Sequence, residues 1–161
     1  CDKPQVTLNG APVTQDVRKG YLHISHLWQE GDTLQLTLPM PVRRIYGNPL
    51  VRHQAGQVAV QRGPLVYCLE QADNGEQLHN LQLPRDARFS TVEGKGIFAR
   101  KILLQVPGYK QTAKDAENQA LWHYDRAPSS RQPQVLTFIP WFSWANRGEG
   151  EMRIWVNEAE A

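Results

Sequence analysis

Apolar and polar residues alternate with a period of two along much of this chain. Leu34, Leu36 and Leu38 are separated by Gln35 and Thr37; Ile102, Leu104 and Val106 repeat the pattern; Met152, Ile154 and Val156 repeat it again near the end. Successive side chains of an extended strand point to opposite faces, so this alternation places one face in a core and the other in water. It predicts strands at these three places. Further strands are expected at residues 5–8, 21–27, 57–61, 64–70 and 134–140.

Turn chemistry separates these segments. Asn9-Gly10 suits a type I′ hairpin turn, which needs positive φ at both central residues. Glu30-Gly31-Asp32 parts two strand candidates, and Asp73-Asn74-Gly75 follows another. Eleven prolines and twelve glycines, spread along the chain, favour strands and turns over long helices. The expected class is all-β: an antiparallel β-sandwich, jelly-roll-like, with a short partial β region at the N-terminus.

Two stretches break the pattern. Residues 110–133 are polar and read as a functional or a mobile loop, with a short helix at most over 113–121. The strand pattern also lapses over 43–54, through Gly47, Asn48 and Pro49. A domain boundary is expected there, dividing the chain into residues 1–45 and 46–161. The first piece has too few strands to bury two sheets by itself, so it either packs on the second or is half of a sandwich.

Composition narrows the function classes. The 161 residues and 18.3 kDa suit one domain or two small ones, 40% of residues are hydrophobic, and mean hydropathy is −0.54. No run approaches the ~18 apolar residues of a membrane helix, so no membrane partner is expected. A net charge of +2, with its basic residues scattered, argues against a nucleic-acid partner. Cys1 and Cys68 make no disulfide framework, and Cys68, inside Leu65-Val66-Tyr67-Cys68-Leu69, reads as a buried reduced thiol. With no Asn-X-Ser/Thr site and no signal peptide, a cytoplasmic protein is expected. A start at Cys1, running almost at once into a strand, reads as a cut piece of a longer protein.

Candidate chemistry is sparse. Glu149 and Glu151 flank Gly150, and Glu30 and Asp32 flank Gly31, yet both pairs sit at turns where carboxylates are ordinarily just solvated. His23 and His26, three apart on a strand, would point to opposite faces, and neither CxxC nor HxxxH occurs, so no metal site is expected. No GxGxxG, P-loop or GxSxG is present. Aromatics remain. Trp141, Trp144 and Trp155, borne on strands, are expected in the core or an interface. Trp122 and Tyr124, in the long loop, are the candidate carbohydrate contacts, because aromatic faces stack on sugar rings and loops position binding residues.

Three stretches taken together resemble a known family. They are Gly20-Tyr21-Leu22-His23-Ile24 with Trp28, Gly31-Asp32 and Leu38-Pro39-Met40; then Val58 through Glu70, containing Arg62-Gly63-Pro64-Leu65-Val66-Tyr67-Cys68; then Ile139 through Gly148, containing Trp141-Phe142-Ser143-Trp144-Ala145-Asn146-Arg147. The chain resembles the C-terminal part of glycoside hydrolase family 127, the β-L-arabinofuranosidase family. That resemblance implies a bacterial enzyme with an (α/α)6 catalytic barrel followed by two β-sandwich domains. It makes residues 1–45 the end of the middle sandwich and residues 46–161 the whole C-terminal one. It also implies zinc only in the absent barrel, no catalytic residue or cofactor in this chain, and an accessory role supporting that barrel and a homodimer. The parent activity implied is retaining hydrolysis of terminal β-L-arabinofuranosides. Arg62, Gly63, Pro64, Cys68, Trp144, Asn146 and Arg147 are then structural: a bend before a buried strand, and a turn that Arg147 anchors by bonds to carbonyls. A carbohydrate-binding module using Trp122 and Tyr124 is the alternative.

Overall fold

A computed structural model describes residues 4–14, 16–113 and 129–160. The chain divides into two compact units, Cys1–Pro41 and Val42–Ala161.

The first unit holds β1 (Gln5–Leu8), β2 (Ala11–Pro12), β3 (Asp16–Arg18), β4 (Tyr21–His23) and β5 (Leu34–Thr37). β1 sits between β2 and β5 in a three-stranded antiparallel sheet, and β3 and β4 form a hairpin. Asn9 and Gly10 join β1 to β2 with φ of 51° and 80°, the paired positive values a type I′ turn requires. The Asn9 amide does a second job there, donating to Asp32 Oδ1 and accepting from the Thr33 amide, both at 2.8 Å. The alternation at residues 34–38 does produce β5, but no residue of that strand is buried. The strand expected over 21–27 stops at His23.

The second unit holds β6 (Val42–Tyr46), β7 (Gln57–Arg62), β8 (Leu65–Glu70), the one-turn helix α1 (Gln71–Asn74), β9 (Leu81–Pro84), β10 (Ser90–Glu93), β11 (Ile102–Ala113), β12 (Ser129–Pro140), β13 (Met152–Arg153) and β14 (Val156–Ala159). Its hydrogen-bond ladder returns on itself through β7, β8, β12, β11, β9, β14 and back to β7, a closed six-strand barrel. β8 and β14 meet β7 at different points, β8 around Val60 and β14 at Val58 and Gln57. β6, β10 and β13 attach to β7, β11 and β8.

The all-β class therefore holds, while the expected antiparallel sandwich does not describe this ladder. It closes instead of leaving two separate sheets, and β14 runs parallel to β9. Closure removes free edges, which an open sheet must otherwise protect. Period-two patterning cannot distinguish the outcomes, because a sandwich and a barrel both need one apolar face per strand.

That face is plain in the core. Val58 and Val60, Tyr67 and Leu69, Leu81 and Leu83, Leu104 and Val106, Leu136 and Phe138, with Val156, form one fully buried cluster in the barrel interior. Each pair is two residues apart on its strand, as the pleat demands. Burying side chains of this size contributes roughly 1.5–3 kcal/mol each. At Gly108 an added Cβ would lie 2.7 Å from Leu136 and 2.8 Å from the Gln82 carbonyl, so β9, β11 and β12 cross where only glycine fits.

Several elements were not legible. The loop expected over 110–133 is narrower, because β11 runs on to Ala113 and β12 begins at Ser129, with Ala113 paired to Ser129. β6 runs into the lapse at 43–54. Its Arg44 is no solvated strand charge: Nη2 donates to the carbonyls of Pro84 at 2.7 Å and Ala87 at 3.0 Å. The strand expected through Met152, Ile154 and Val156 breaks after Arg153 into β13 and β14.

Candidate functional site

If Tyr67 and Leu69 point into the barrel, Cys68 and Glu70 must point out. The same parity on β12 sends Thr137 and Ile139 outward, and on β11 Leu103 and Gln105. This outer face has its own cover. Cys68, Ile139 and Phe98 form a second buried cluster, packed by Leu103, Met152 and Ile154. Phe98 belongs to a 3-10 turn at Gly96–Phe98, and the segment after β12 makes another at Trp141–Ser143.

Arg147 holds these pieces together. Its Nε donates to Glu70 at 3.0 Å, its Nη1 to Asp73 at 2.7 Å, and its Nη2 reaches both carboxylates. The guanidinium also lies over the Phe98 ring, 4.7 Å from its centroid. The hydrogen bonds it donates to Asp73, then those to Glu70, hold its pKa above the usual arginine value against the opposing effect of burial. Glu70 additionally accepts from the Ala145 amide at 3.2 Å. Arg147 was expected to anchor its turn through carbonyls; its partners are carboxylates, and Asn146 takes the carbonyl role, donating to Ser143 O at 3.0 Å and Trp144 O at 3.3 Å. Nearby, buried Asn74 ties α1 to the barrel, donating to Glu70 O and Thr137 O and accepting from the Thr137 amide.

Cys68 is fully buried beneath this cluster. Desolvation, reinforced by Glu70 and Asp73, pushes its thiol up to about 12, so it stays protonated and unreactive at neutral pH. Gly63 and Pro64 make the tight turn between β7 and β8, with Arg62 paired to Leu65 across it. Gly63 at φ 57° followed by proline's fixed negative φ is the type II′ pattern.

A second network lies between β6 and β14. Glu158 accepts from Tyr46 Oη at 2.7 Å and from Arg85 Nε and Nη2 at 3.0 and 2.9 Å, with Arg44 Nη1 at 3.7 Å. Burial would raise its carboxyl, but these bonds and charges outweigh burial and hold it below the ordinary value. A cavity of about 350 Å³ with mixed polar and apolar walls adjoins it, lined by Tyr46, Pro49, Val51, Gln54, Gln57 and Arg85 among others.

The acidic pairs do not form a reacting site. Glu151 accepts from the amides of Gln77 at 2.9 Å and Leu78 at 2.8 Å, while Asp32 accepts from Asn9, the Gln29 amide and His26. His23 and His26, expected on opposite faces, line one cavity with Asp16, because β4 ends at His23 and strand parity goes no further. Trp122 and Tyr124 lie outside the described residues. Trp141, Phe142 and Trp144, 49%, 58% and 40% exposed, are at the surface and not in the core. Sequence reasoning missed Glu70, Asp73 and Phe98 as partners of Arg147. No spacing signal links an arginine to carboxylates more than seventy residues away.

This all-β chain matches domains of glycoside hydrolases along nearly its whole length. The chain belongs to glycoside hydrolase family 127: the model of that family's C-terminal domain matches residues 42–157, and that of the β-L-arabinofuranosidase GH127 middle domain matches residues 1–40. A non-reducing end β-L-arabinofuranosidase of Bifidobacterium longum subsp. longum is 35% identical over 156 residues, covering 92% of this chain and 23% of that protein. The crystal structure of a GH127 β-L-arabinofuranosidase from Geobacillus stearothermophilus T6 superposes with a TM-score of 0.86 at 41% identity, over 99% of this chain and 25% of that one. A GH127 β-arabinofuranosidase superposes with a TM-score of 0.77 at 33% identity, over 98% of this chain and 23% of that one. The chain thus spans about a quarter of the length of these relatives.

The zinc implied by resemblance for the family's barrel has no counterpart donor set among the described residues. Among the described residues no three His, Cys, Asp or Glu side chains are grouped to hold a metal, and Cys68 is a buried thiol where zinc needs a thiolate. No helix among them is long and apolar enough to cross a membrane.

Proposed function

We propose that this chain is the non-catalytic C-terminal region of a β-L-arabinofuranosidase-type glycoside hydrolase, supporting an (α/α)6 catalytic barrel and a homodimer. The observation that carries the reading is the first unit. Val17, Tyr21, Leu27 and Leu36 are 59%, 74%, 89% and 55% exposed, an apolar display that a small independent domain would not leave in water. It fits a surface covered by another part of a longer polypeptide. The carboxylates support the reading too, since Glu70, Asp73, Glu151 and Glu158 are all engaged in holding loops and strands. None of these four is free to serve as one of the two carboxyl groups that glycoside hydrolysis ordinarily uses.

The test is a side-by-side assay with p-nitrophenyl β-L-arabinofuranoside, zinc and reductant. It compares this chain with one extended N-terminally through the barrel. Turnover is expected only from the extended chain. Hydrolysis by the shorter chain overturns the proposal and returns attention to Glu149 and Glu151.

A further inference from the structure

A small cavity opens where the turn carrying Phe98 meets the loop carrying Asn146. Its volume is about 350 Å³, within the range of small-molecule sites, and Ile97, Phe98, Lys101, Ser143 and Asn146 line it. Ile97 and Phe98 supply apolar wall. Lys101 Nζ gives one hydrogen to Ile97 O at 2.6 Å, leaving two further donors. Asn146 spends its amide hydrogens on Ser143 O and Trp144 O, while its Oδ1 accepts from none of the described residues. Free donors and a free acceptor therefore stand together beside apolar surface.

The walls are held in place before any ligand arrives. Arg147, bound to Glu70 and Asp73, fixes one loop. On each side a non-glycine residue is forced into the left-handed region, Arg100 at φ 65° and Ala145 at φ 63°. Such conformations cost of order 1–3 kcal/mol and concentrate at binding sites.

Charge selects the ligand class. Arg147 is already matched by two carboxylates, so the cluster with Lys101 has no net positive charge to offer an anion, and Asn146 Oδ1 would repel one. A pair of neighbouring hydroxyls suits both groups, one oxygen accepting from Lys101 Nζ and the other hydroxyl donating to Asn146 Oδ1. We propose that this cavity is a non-catalytic subsite for a neutral saccharide unit. Its location rests on geometry alone; only the choice of sugar, an L-arabinofuranoside, rests on the function proposed above.

The experiment is a titration of this chain followed by tryptophan fluorescence and saturation-transfer NMR. The probes are methyl β-L-arabinofuranoside and L-arabinose as neutral arms, with galacturonate and inorganic phosphate as anionic ones. Saturable binding of a neutral sugar is expected with a dissociation constant of about 1 mM. It should weaken about tenfold in Lys101→Met, which loses a charge-assisted donor, and stay unchanged in the exposed control Lys95→Met. Binding of the anions alone overturns the neutral-saccharide assignment. No saturable binding, or binding indifferent to Lys101→Met, overturns the site. None of these failures touches the function proposed above, which the hydrolysis assay decides separately.

Discussion

The inner and outer faces of the barrel are built from the same strands by different physics. Inside, Val58, Val60, Leu104, Val106, Leu136 and Phe138 need only be apolar and of suitable size, and every one is fully buried. Outside, Cys68 and Ile139 are covered by Phe98, Leu103, Met152 and Ile154, and Arg147 stacks on the Phe98 ring and ties its own loop to Glu70 and Asp73. The inner face is stabilised by area removed from water, which is non-directional. The outer face depends on hydrogen bonds between particular groups, which fail when one partner is lost. Neighbouring residues on one strand, such as Cys68 and Leu69, thus answer to different rules.

The contrast can be broken most forcefully from inside. Phe138→Ala removes a large side chain from the fully buried cluster and should cost about 3–5 kcal/mol by chemical denaturation. The conservative Leu136→Met, by contrast, should cost less than about 1.5 kcal/mol, because volume is nearly kept. An equally large loss from the conservative change would mean that inner packing is as specific as the outer contacts.

From outside, Arg147→Met leaves the nearly buried Glu70 without its counter-charge. A buried pair broken this way costs about 3–5 kcal/mol, and the partial exposure of Arg147 and Asp73 reduces the expectation to about 2–3 kcal/mol. Arg147→Lys should recover little of this, since an ammonium cannot reproduce the fork that spans both carboxylates. Full recovery by lysine would show that charge alone matters there.

The smallest effect sharpens the comparison in the other direction. Ala145→Gly relieves a left-handed residue at φ 63° and should raise stability by up to about 1 kcal/mol, read as a shift in denaturation midpoint. If the cavity beside it binds sugar, that gain should come with weaker binding, because the loop loses its fixed shape.

Legibility followed the same division. β1, β7 and β8 emerge at or within two residues of their expected limits, since their signals are local: alternation, Asn9-Gly10, Gly63-Pro64. β6 was obscured by Arg43 and Arg44. A strand arginine reads as solvated until the distant Pro84 and Ala87 carbonyls that receive it are known. The seven structural motif residues of the sequence reading include Cys68, Asn146 and Arg147, which do gather at one place. Their partners Glu70, Asp73 and Phe98 were invisible, as were Lys101 and the cavity it lines. Trp141 and Trp144 lie at the surface, which leaves the interface half of their expected core-or-interface placement standing, because a large aromatic near a strand end looks the same in sequence whether covered or bare.

The all-β class, the residues that face the core and the sharp turn after Arg62 can be read from local patterns in the chain. These depend on the pleat and on turn dihedrals, which act over a few residues. Closure of the ladder into a barrel, the parallel pairing of β14 with β9, and the meeting of Arg147 with Glu70 and Asp73 emerge only in the folded molecule. Those outcomes depend on contacts between segments many residues apart. The free energy of such contacts exists only once the chain is closed, so no local pattern can encode them.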